Sequence, residues 1–440
     1  MTALFRAALL LPLAAGVSSA SATPLLGTQL ELAMAESPSS ASLDAARQAL
    51  SKGDAARAAG LYEALAQQGE SLEAEVGLIR ASLQAGEFRK AVAYANLTAG
   101  EHPESGEAPA LLAFLNDRAG RTEQAVAALK KLQSTRPDDW VPIAAHADIL
   151  IDRLAPAEAR AVIEGWNARH PGAARPELTR LLMRARVAEG TESGAAPKTT
   201  PVNRAATEYA EGWAVPSFQT LPLAGRRIVG AGNGVVVDGG KSVLTYAGVL
   251  GPSAHELLIR NGLGQLRRAR VERLDRSKEL IQVRLTEPFP ATSSIPQDQV
   301  SSPEGVRFCF ALGFSVPRSA DPAYPAIAPG LVFRADTGVG GLMQITSALG
   351  SGHDGAPVFD ARGKLIGLAL GAGDHQIAGQ DLRKNLGRGG FALRVDETLT
   401  GVAHKVTAVR APPGPQPPMP PMEELFERLS PAVVQIVALE

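Results

Sequence analysis

The chain has 440 residues, 45% hydrophobic and 20% charged, with a formal net charge of −1. That length implies roughly two to three domains with packed cores. The even charge balance excludes the long-range attraction on which polyanion binding depends, so no nucleic-acid partner is expected. One cysteine excludes an intrachain disulfide and a thiolate metal cluster. Cys309 stands in the apolar run Phe308-Cys309-Phe310-Ala311-Leu312 and reads as a small buried hydrophobe. At the start, Arg6 precedes an apolar run over 7–17, and Ala20-Ser21-Ala22 supplies small residues for cleavage. Residues 1–22 therefore read as a signal peptide. The run is too short to span a bilayer, and no later segment reaches about 18 unbroken apolar residues. The mature chain is expected to have no membrane span and to be periplasmic or secreted.

Residues 42–188 are alanine-rich and lack β-type alternation. Ala58, Ala91, Ala125 and Ala159 recur at spacings of 33, 34 and 34, and Pro103, Pro137 and Pro171 each follow a repeat alanine by 12 residues. Gly53, Gly86 and Gly120 stand five residues before their alanines, where a turn between two helices must fall. Tyr62 and Leu129 are candidate packing residues of the second helices. The period resembles the tetratricopeptide helix–turn–helix repeat, in about four copies. The family's tryptophan near the start of each repeat is missing, and its eighth position varies (Ile79, Ala113, Ala147). A last amphipathic segment over 176–188 is expected to cap the stack. The resemblance implies a groove that grips a protein or peptide partner, or else a solenoid that only packs on its neighbouring domain.

Residues 189–206, rich in Gly, Pro, Ser and Thr, read as a linker. Beyond them short Val/Ile/Leu-rich runs recur between turn residues: 235–237, 243–245, 257–259, 280–283, 308–312, 331–333, 342–346, 365–370 and 391–393. Many short strands at regular spacing predict an all-β sandwich or barrel. The most informative stretch is 350–367. There Gly352-His353-Asp354-Gly355-Ala356-Pro357 leads into a hairpin of two apolar strands around the turn Asp360-Ala361-Arg362-Gly363.

That hexamer resembles Gly-Asn-Ser-Gly-Gly-Pro, the nucleophile loop of trypsin-like serine proteases of the HtrA type. Further landmarks follow in the family's order. Gly230-Ala231-Gly232-Asn233-Gly234-Val235-Val236 resembles the Gly-Ser-Gly opening. Thr245-Tyr246-Ala247-Gly248-Val249 resembles Thr-x-x-His-Val, where histidine is the base. Asp275-Arg276-Ser277-Lys278-Glu279-Leu280 resembles Asp-x-x-x-Asp-Leu, which supplies the acid. Gln344-Ile345-Thr346-Ser347-Ala348 stands ahead of the nucleophile loop as in the family. Phe391-Ala392-Leu393 resembles the strand after it. The resemblance implies a trypsin-like double β-barrel over 207–406, with a short helix at 398–406.

In this alignment the triad positions hold Gly248, Glu279 and Asp354 in place of histidine, aspartate and serine. Glycine cannot take a proton, a carboxylate is a poor acyl acceptor, and its charge would oppose an oxyanion held by the N–H groups of Gly352 and Asp354. Losing the nucleophile or base alone costs on the order of 10⁶ in a related triad. No catalytic residue is therefore expected. Gly352, His353 and Asp354 remain as a remnant oxyanion loop that could bind a ligand. Ser351, His353 and His255 are the nearest groups for re-routed chemistry, and the plainer reading of that loop is a solvated turn. The other histidines, His375 among them, read as surface or packing residues. No His-x-x-x-His pair or phosphate-binding glycine pattern occurs, so no metal and no cofactor is expected.

The end of the chain resembles a beginning. A proline-rich spacer over 411–421 leads to a helix and Ser430-Pro431-Ala432-Val433-Val434-Gln435-Ile436, which in HtrA-type proteases opens the first barrel. Residues 423–440 could close that barrel within the chain as a circular permutation, begin a second domain cut short, or donate a strand to another molecule. Together these readings give a multidomain protein, an all-α tetratricopeptide solenoid followed by an all-β trypsin-like double β-barrel. It is expected to act as a binding or scaffold protein that recognises peptides or proteins and regulates an envelope protease. The alternative is an active serine endopeptidase with a rearranged site.

Overall fold

Helix pairs build the N-terminal part of the computed structural model: α1 (Leu43–Ser51), α2 (Ala55–Gln68), α3 (Leu72–Ala85), α4 (Phe88–Glu101), α5 (Glu107–Arg118), α6 (Thr122–Thr135), α7 (Val141–Asp152), α8 (Pro156–Arg169) and a last helix, α9 (Pro176–Ala188). The described residues are 42–190 except 70 and 174, 209–395 except 211–217, 220, 224, 252, 276–278, 302–306, 320–322, 340, 378 and 383–389, and 418–440. The expected signal peptide, nearly all of the linker, the helix at 398–406 and most of the proline-rich spacer lie outside them.

Packing explains the sequence period. Ala58, Ala91, Ala125 and Ala159 lie on α2, α4, α6 and α8 with no exposed surface. Tyr62 and Leu129 are buried as well. The Tyr62 ring lies where a Cβ on Gly77 of α3 would stand, so only glycine allows that approach. Gly53, Gly86 and Gly120 take φ values of 77°, 81° and 82°, the left-handed turn that ends one helix and starts the next. In the following repeat the same position is Leu154, with φ 62°. A non-glycine residue there costs of order 1–3 kcal/mol, and Leu154 reappears below at the seam with the barrels.

The other two layers are antiparallel barrels, each of six strands. Two short strands, β1 (Tyr209–Ala210) and β2 (Phe218–Gln219), pair beside the first barrel. The first barrel runs β16 (Val433–Leu439), β3 (Ile228–Val237), β4 (Ser242–Tyr246), β7 (Leu280–Leu285), β6 (Leu266–Asp275), β5 (Glu256–Asn261). The second runs β10 (Leu342–Ile345), β15 (Gly390–Arg394), β12 (Leu365–Leu370), β11 (Pro357–Asp360), β8 (Arg307–Gly313), β9 (Ala326–Arg334). A small pair, β13 (Gln376–Ile377) and β14 (Gln380–Asp381), stands outside it. Strand β16, the last in the chain, lies between β3 and β5. It pairs with β3 from Val433↔Val235 to Leu439↔Ile228 and with β5 from Val434↔Asn261 to Leu439↔Glu256. All seven of its residues are buried. Without it the barrel would have two open edges.

Just before β16, α10 (Met422–Leu429) buries Leu425, Phe426 and Leu429. The Phe426 ring lies 4.6 Å from Phe88 of α4 and 6.3 Å from Tyr324 of the second-barrel region. Glu427 accepts from Arg89 at 3.1 Å, Glu423 pairs with Arg121, and Arg428 donates to the Arg362 carbonyl. This helix therefore binds the helical layer and both barrels at one point.

The inner helices α3, α5 and α7 are buried along nearly all their length. The barrels cover them: Tyr324 Oη donates to the Leu83 carbonyl at 2.6 Å, Arg153 Nη1 donates to the Ile327 carbonyl at 2.7 Å, and Leu263 lies on Gly86. At this seam Asp152 receives Arg118, Arg184 and the Ser315 hydroxyl, while Arg184 also reaches Asp148. Burial pushes the Asp152 carboxyl up, but the Arg184 and Arg118 guanidiniums outweigh it and hold the group at about 2. One prediction arises here. Tyr324→Phe removes one of two donors to the buried Leu83 carbonyl, which keeps the Gly86 N–H at 3.0 Å, so the protein is expected to lose about 0.5–1.5 kcal/mol in urea denaturation with an unchanged m-value.

Candidate functional site

Gly248 and Asp354, which the sequence resemblance sets at two triad positions, line one cavity at the seam, and the charges of Asp354 and Glu279 both act on Tyr246. Gly248 lies in a single 3₁₀ turn, Ala247–Val249, directly after β4. The Glu279 carbonyl, at the entry to β7, accepts from the Ala247 N–H at 2.8 Å and fixes that turn. A Cβ on Gly248 would overlap the Tyr246 ring. The Tyr246 ring, from two residues upstream, thus fills the space beside Gly248 in which a side chain would begin. Burial, helped by the charges of Asp354 and Glu279, pushes the Tyr246 hydroxyl up to about 12. It stays protonated near neutral pH and cannot act as a base.

Asp354 follows the 3₁₀ turn Ser351–His353 and precedes β11. Its Oδ1 accepts from the Gly371 N–H at 2.8 Å, and His375 Nε2 lies 3.5 Å from the same oxygen. Burial raises the Asp354 carboxyl above the usual carboxylate range, against the opposing pull of His375. His375 Nε2 donates to the Gly371 carbonyl at 2.8 Å, so that nitrogen already carries its proton and cannot accept another. The Tyr246 and His375 rings meet edge to face with centroids 5.7 Å apart. His375 is largely buried against the Tyr246 ring, in keeping with the packing role expected from the sequence, and stands beside Asp354 as well. It reaches that position from the loop after β12, which sequence spacing does not reveal.

The reading of the loop as a solvated turn is also corrected. His353 is buried, and its Nδ1 accepts from the Gly350 N–H at 3.0 Å. Burial lowers its pKa to about 4, so the ring is neutral and acts as a brace. Asn233 of β3 staples the loop from the first barrel. Its Nδ2 donates to the Gly352 carbonyl at 2.8 Å, its N–H donates to the Asp354 carbonyl at 2.7 Å, and its Oδ1 accepts from the Phe314 N–H at 2.6 Å. Asn233 stood in the quoted Gly-Ala-Gly-Asn-Gly stretch, but nothing in that pattern marked its partners. Gly352 sits so close to the Ser315 carbonyl that a Cβ there would overlap it.

Two cavities flank the Asp354–His375 pair. One, of about 820 Å³, is lined by His375, Phe333, Ile345, Leu349, Leu370 and Phe391. The other, of about 510 Å³, lies at the seam and includes Asp354, Gly248 and Gly352 in its wall. No group of three or more potential metal-binding side chains occurs among the described residues.

Residues 232–368 match the family model described as a trypsin-like peptidase domain. This trypsin-like region contains Gly248, Glu279 and Asp354. Among solved structures, the MamO protease domain from Magnetospirillum magneticum (apo form) is 17% identical, with 40% of this chain and 96% of that one covered and a TM-score of 0.30. The HtrA-type protease AlgW with a decapeptide is 20% identical, covering 38% and 49%, with a TM-score of 0.28. The serine endoprotease from Yersinia pestis is 19% identical, covering 37% and 53%, with a TM-score of 0.29. The match thus spans about half the length of the last two. No curated protein matches the chain.

Proposed function

We propose that this protein is an exported binding or scaffold protein, built from a tetratricopeptide-type helical layer and a circularly permuted trypsin-like domain that no longer hydrolyses peptides. The observation that carries the reading is the replacement at Gly248. The Tyr246 ring fills the space beside Gly248 in which a side chain would begin, and its hydroxyl is protonated. Asp354 and His375 do not restore the chemistry. The carboxylate is tied to the Gly371 N–H, and the imidazole proton is committed to the Gly371 carbonyl. Peptide or protein partners meet the molecule at the former cleft, because the inner helices are already covered by the barrels. Control of an envelope protease is one role such a protein would serve.

The first test is cleavage of unfolded casein. Wild type is expected at the background rate. Asp354→Ser alone is expected to stay within about tenfold of it, because a serine without a base is not activated. Gly248→His combined with Asp354→Ser is also expected to fail, since the histidine meets the Tyr246 ring. Time-dependent wild-type cleavage that survives further purification contradicts the proposal.

A further inference from the structure

The seam cavity has a definite chemical character. Its volume of about 510 Å³ falls within the range of pockets that bury small ligands. The helical wall carries Ile151, Leu154 and Val187, and the barrel wall carries Val229, Ala231 and Val316. Asp354 supplies an anionic group, with its side chain 23% exposed, to a lining that also includes Ser315, Ser351 and Arg318, and Arg318 Nη1 donates to the Ile228 carbonyl at 3.5 Å. One carboxylate oxygen is engaged by the Gly371 N–H, and no hydrogen bond reaches the other from the described residues. A half-desolvated carboxylate with one free oxygen favours a cationic partner, since the attraction between charges rises as water is excluded.

The geometry narrows the cation. A guanidinium binds best through two parallel bonds to both carboxylate oxygens, but Oδ1 is already committed. A metal ion would need further ligating side chains, and the described residues offer no such cluster. An ammonium is a compact point charge that needs only one free oxygen. Leu154 completes the wall: it holds a left-handed backbone where the preceding repeats have glycine, and its side chain lies against Gly350 of the Asp354 loop.

Building on the non-hydrolytic reading above, we propose that the seam cavity binds a primary ammonium group on a short apolar stem, with Asp354 as its counter-ion. Two sources share that chemistry, the free amino terminus of a peptide and the side chain of a lysine.

Calorimetric titration at pH 7 with three probes tests this: Ala-Val-Ala amide, its N-acetylated form, and Nα-acetyl-lysine methylamide. At least one of the two free amines is expected to bind, with the acetylated tripeptide at least tenfold weaker than the amine that binds. The stronger amine identifies the source. Asp354→Asn keeps the acceptor for Gly371 but loses the charge, and is expected to abolish the preference over the acetylated form. Ala188→Phe fills the cavity from the helical wall without touching Asp354, and is expected to abolish binding of both amines while the unfolding temperature stays within a few degrees. Equal binding of the acetylated and free tripeptides, an amine preference surviving in Asp354→Asn, or absence of binding by either amine overturns the proposal. Mass spectrometry of the recovered probes separates the two readings. Cleaved probe contradicts the non-hydrolytic reading, whereas loss of the amine preference with intact probe contradicts only the ammonium site.

Discussion

Deletion of residues 422–440 is expected to leave a chain that no longer unfolds cooperatively and that aggregates when expressed. Strand β16 is paired on both sides, and Val433, Val434, Ile436, Val437, Ala438 and Leu439 are fully buried in the first barrel. At about 1.5–3 kcal/mol for each large aliphatic side chain, their burial is worth on the order of 10 kcal/mol. That equals the whole net stability of a typical domain. The same deletion removes Phe426 from between Phe88 and Tyr324 and exposes the unpaired edges of β3 and β5. Far-UV circular dichroism with thermal unfolding reads the loss, and a synthetic peptide covering 422–440 is expected to restore a cooperative transition when refolded with the shortened chain. A deletion variant that is soluble and unfolds as sharply as wild type contradicts the place given to β16.

The second large effect is expected from Asp152→Asn. The aspartate joins Arg118, Arg184 and Ser315 in a cluster with almost no exposed surface. Removing its charge leaves two buried guanidiniums short of a partner, at a cost of about 3–5 kcal/mol. The pH dependence identifies the group. Its folded-state pKa of about 2 lies below the ordinary 3.8, so its stabilisation is complete above about pH 4 and is lost as pH falls towards 2. Wild type is expected to lose stability through that window and Asp152→Asn to show a flatter profile there. His353 and His146 act in a higher window. Burial lowers both to about 4 from 6.5, so the unfolded chain binds more protons and stability falls as pH drops from about 6.5 to 4. Chemical denaturation across pH 2–7 separates the two windows, and an Asp152→Asn profile parallel to wild type below pH 4 rejects the assignment.

Helix and strand placement was legible because it follows local rules. The repeat alanines are small where paired helices touch, the prolines fall two residues past the ends of α4, α6 and α8, and the glycines take left-handed turns. The double barrel was legible from ordered motifs, each positioned on a strand or turn. What escaped was set by contacts between distant segments. His375 meets Asp354 across 21 positions, and Asn233 reaches Gly352 across 119. The fourth-repeat turn at Leu154 breaks the glycine pattern, because its side chain packs on Gly350 in another domain. Asp152 read as a charge at the end of a helix, and only the approach of Ser315 from the barrel makes it the centre of a buried network. The residues Gly248 and Asp354 were visible as letters, but the sequence did not show that the Tyr246 ring fills the space beside Gly248.

The central claim is that this trypsin-like region holds no activated serine. Incubation of the purified, folded protein with a fluorophosphonate, followed by intact-mass measurement, tests it most directly. The protein is expected to keep its unmodified mass after hours at pH 8, as does its Asp354→Ser variant. A stoichiometric adduct on the wild-type chain, at Ser351 or any other serine, contradicts it.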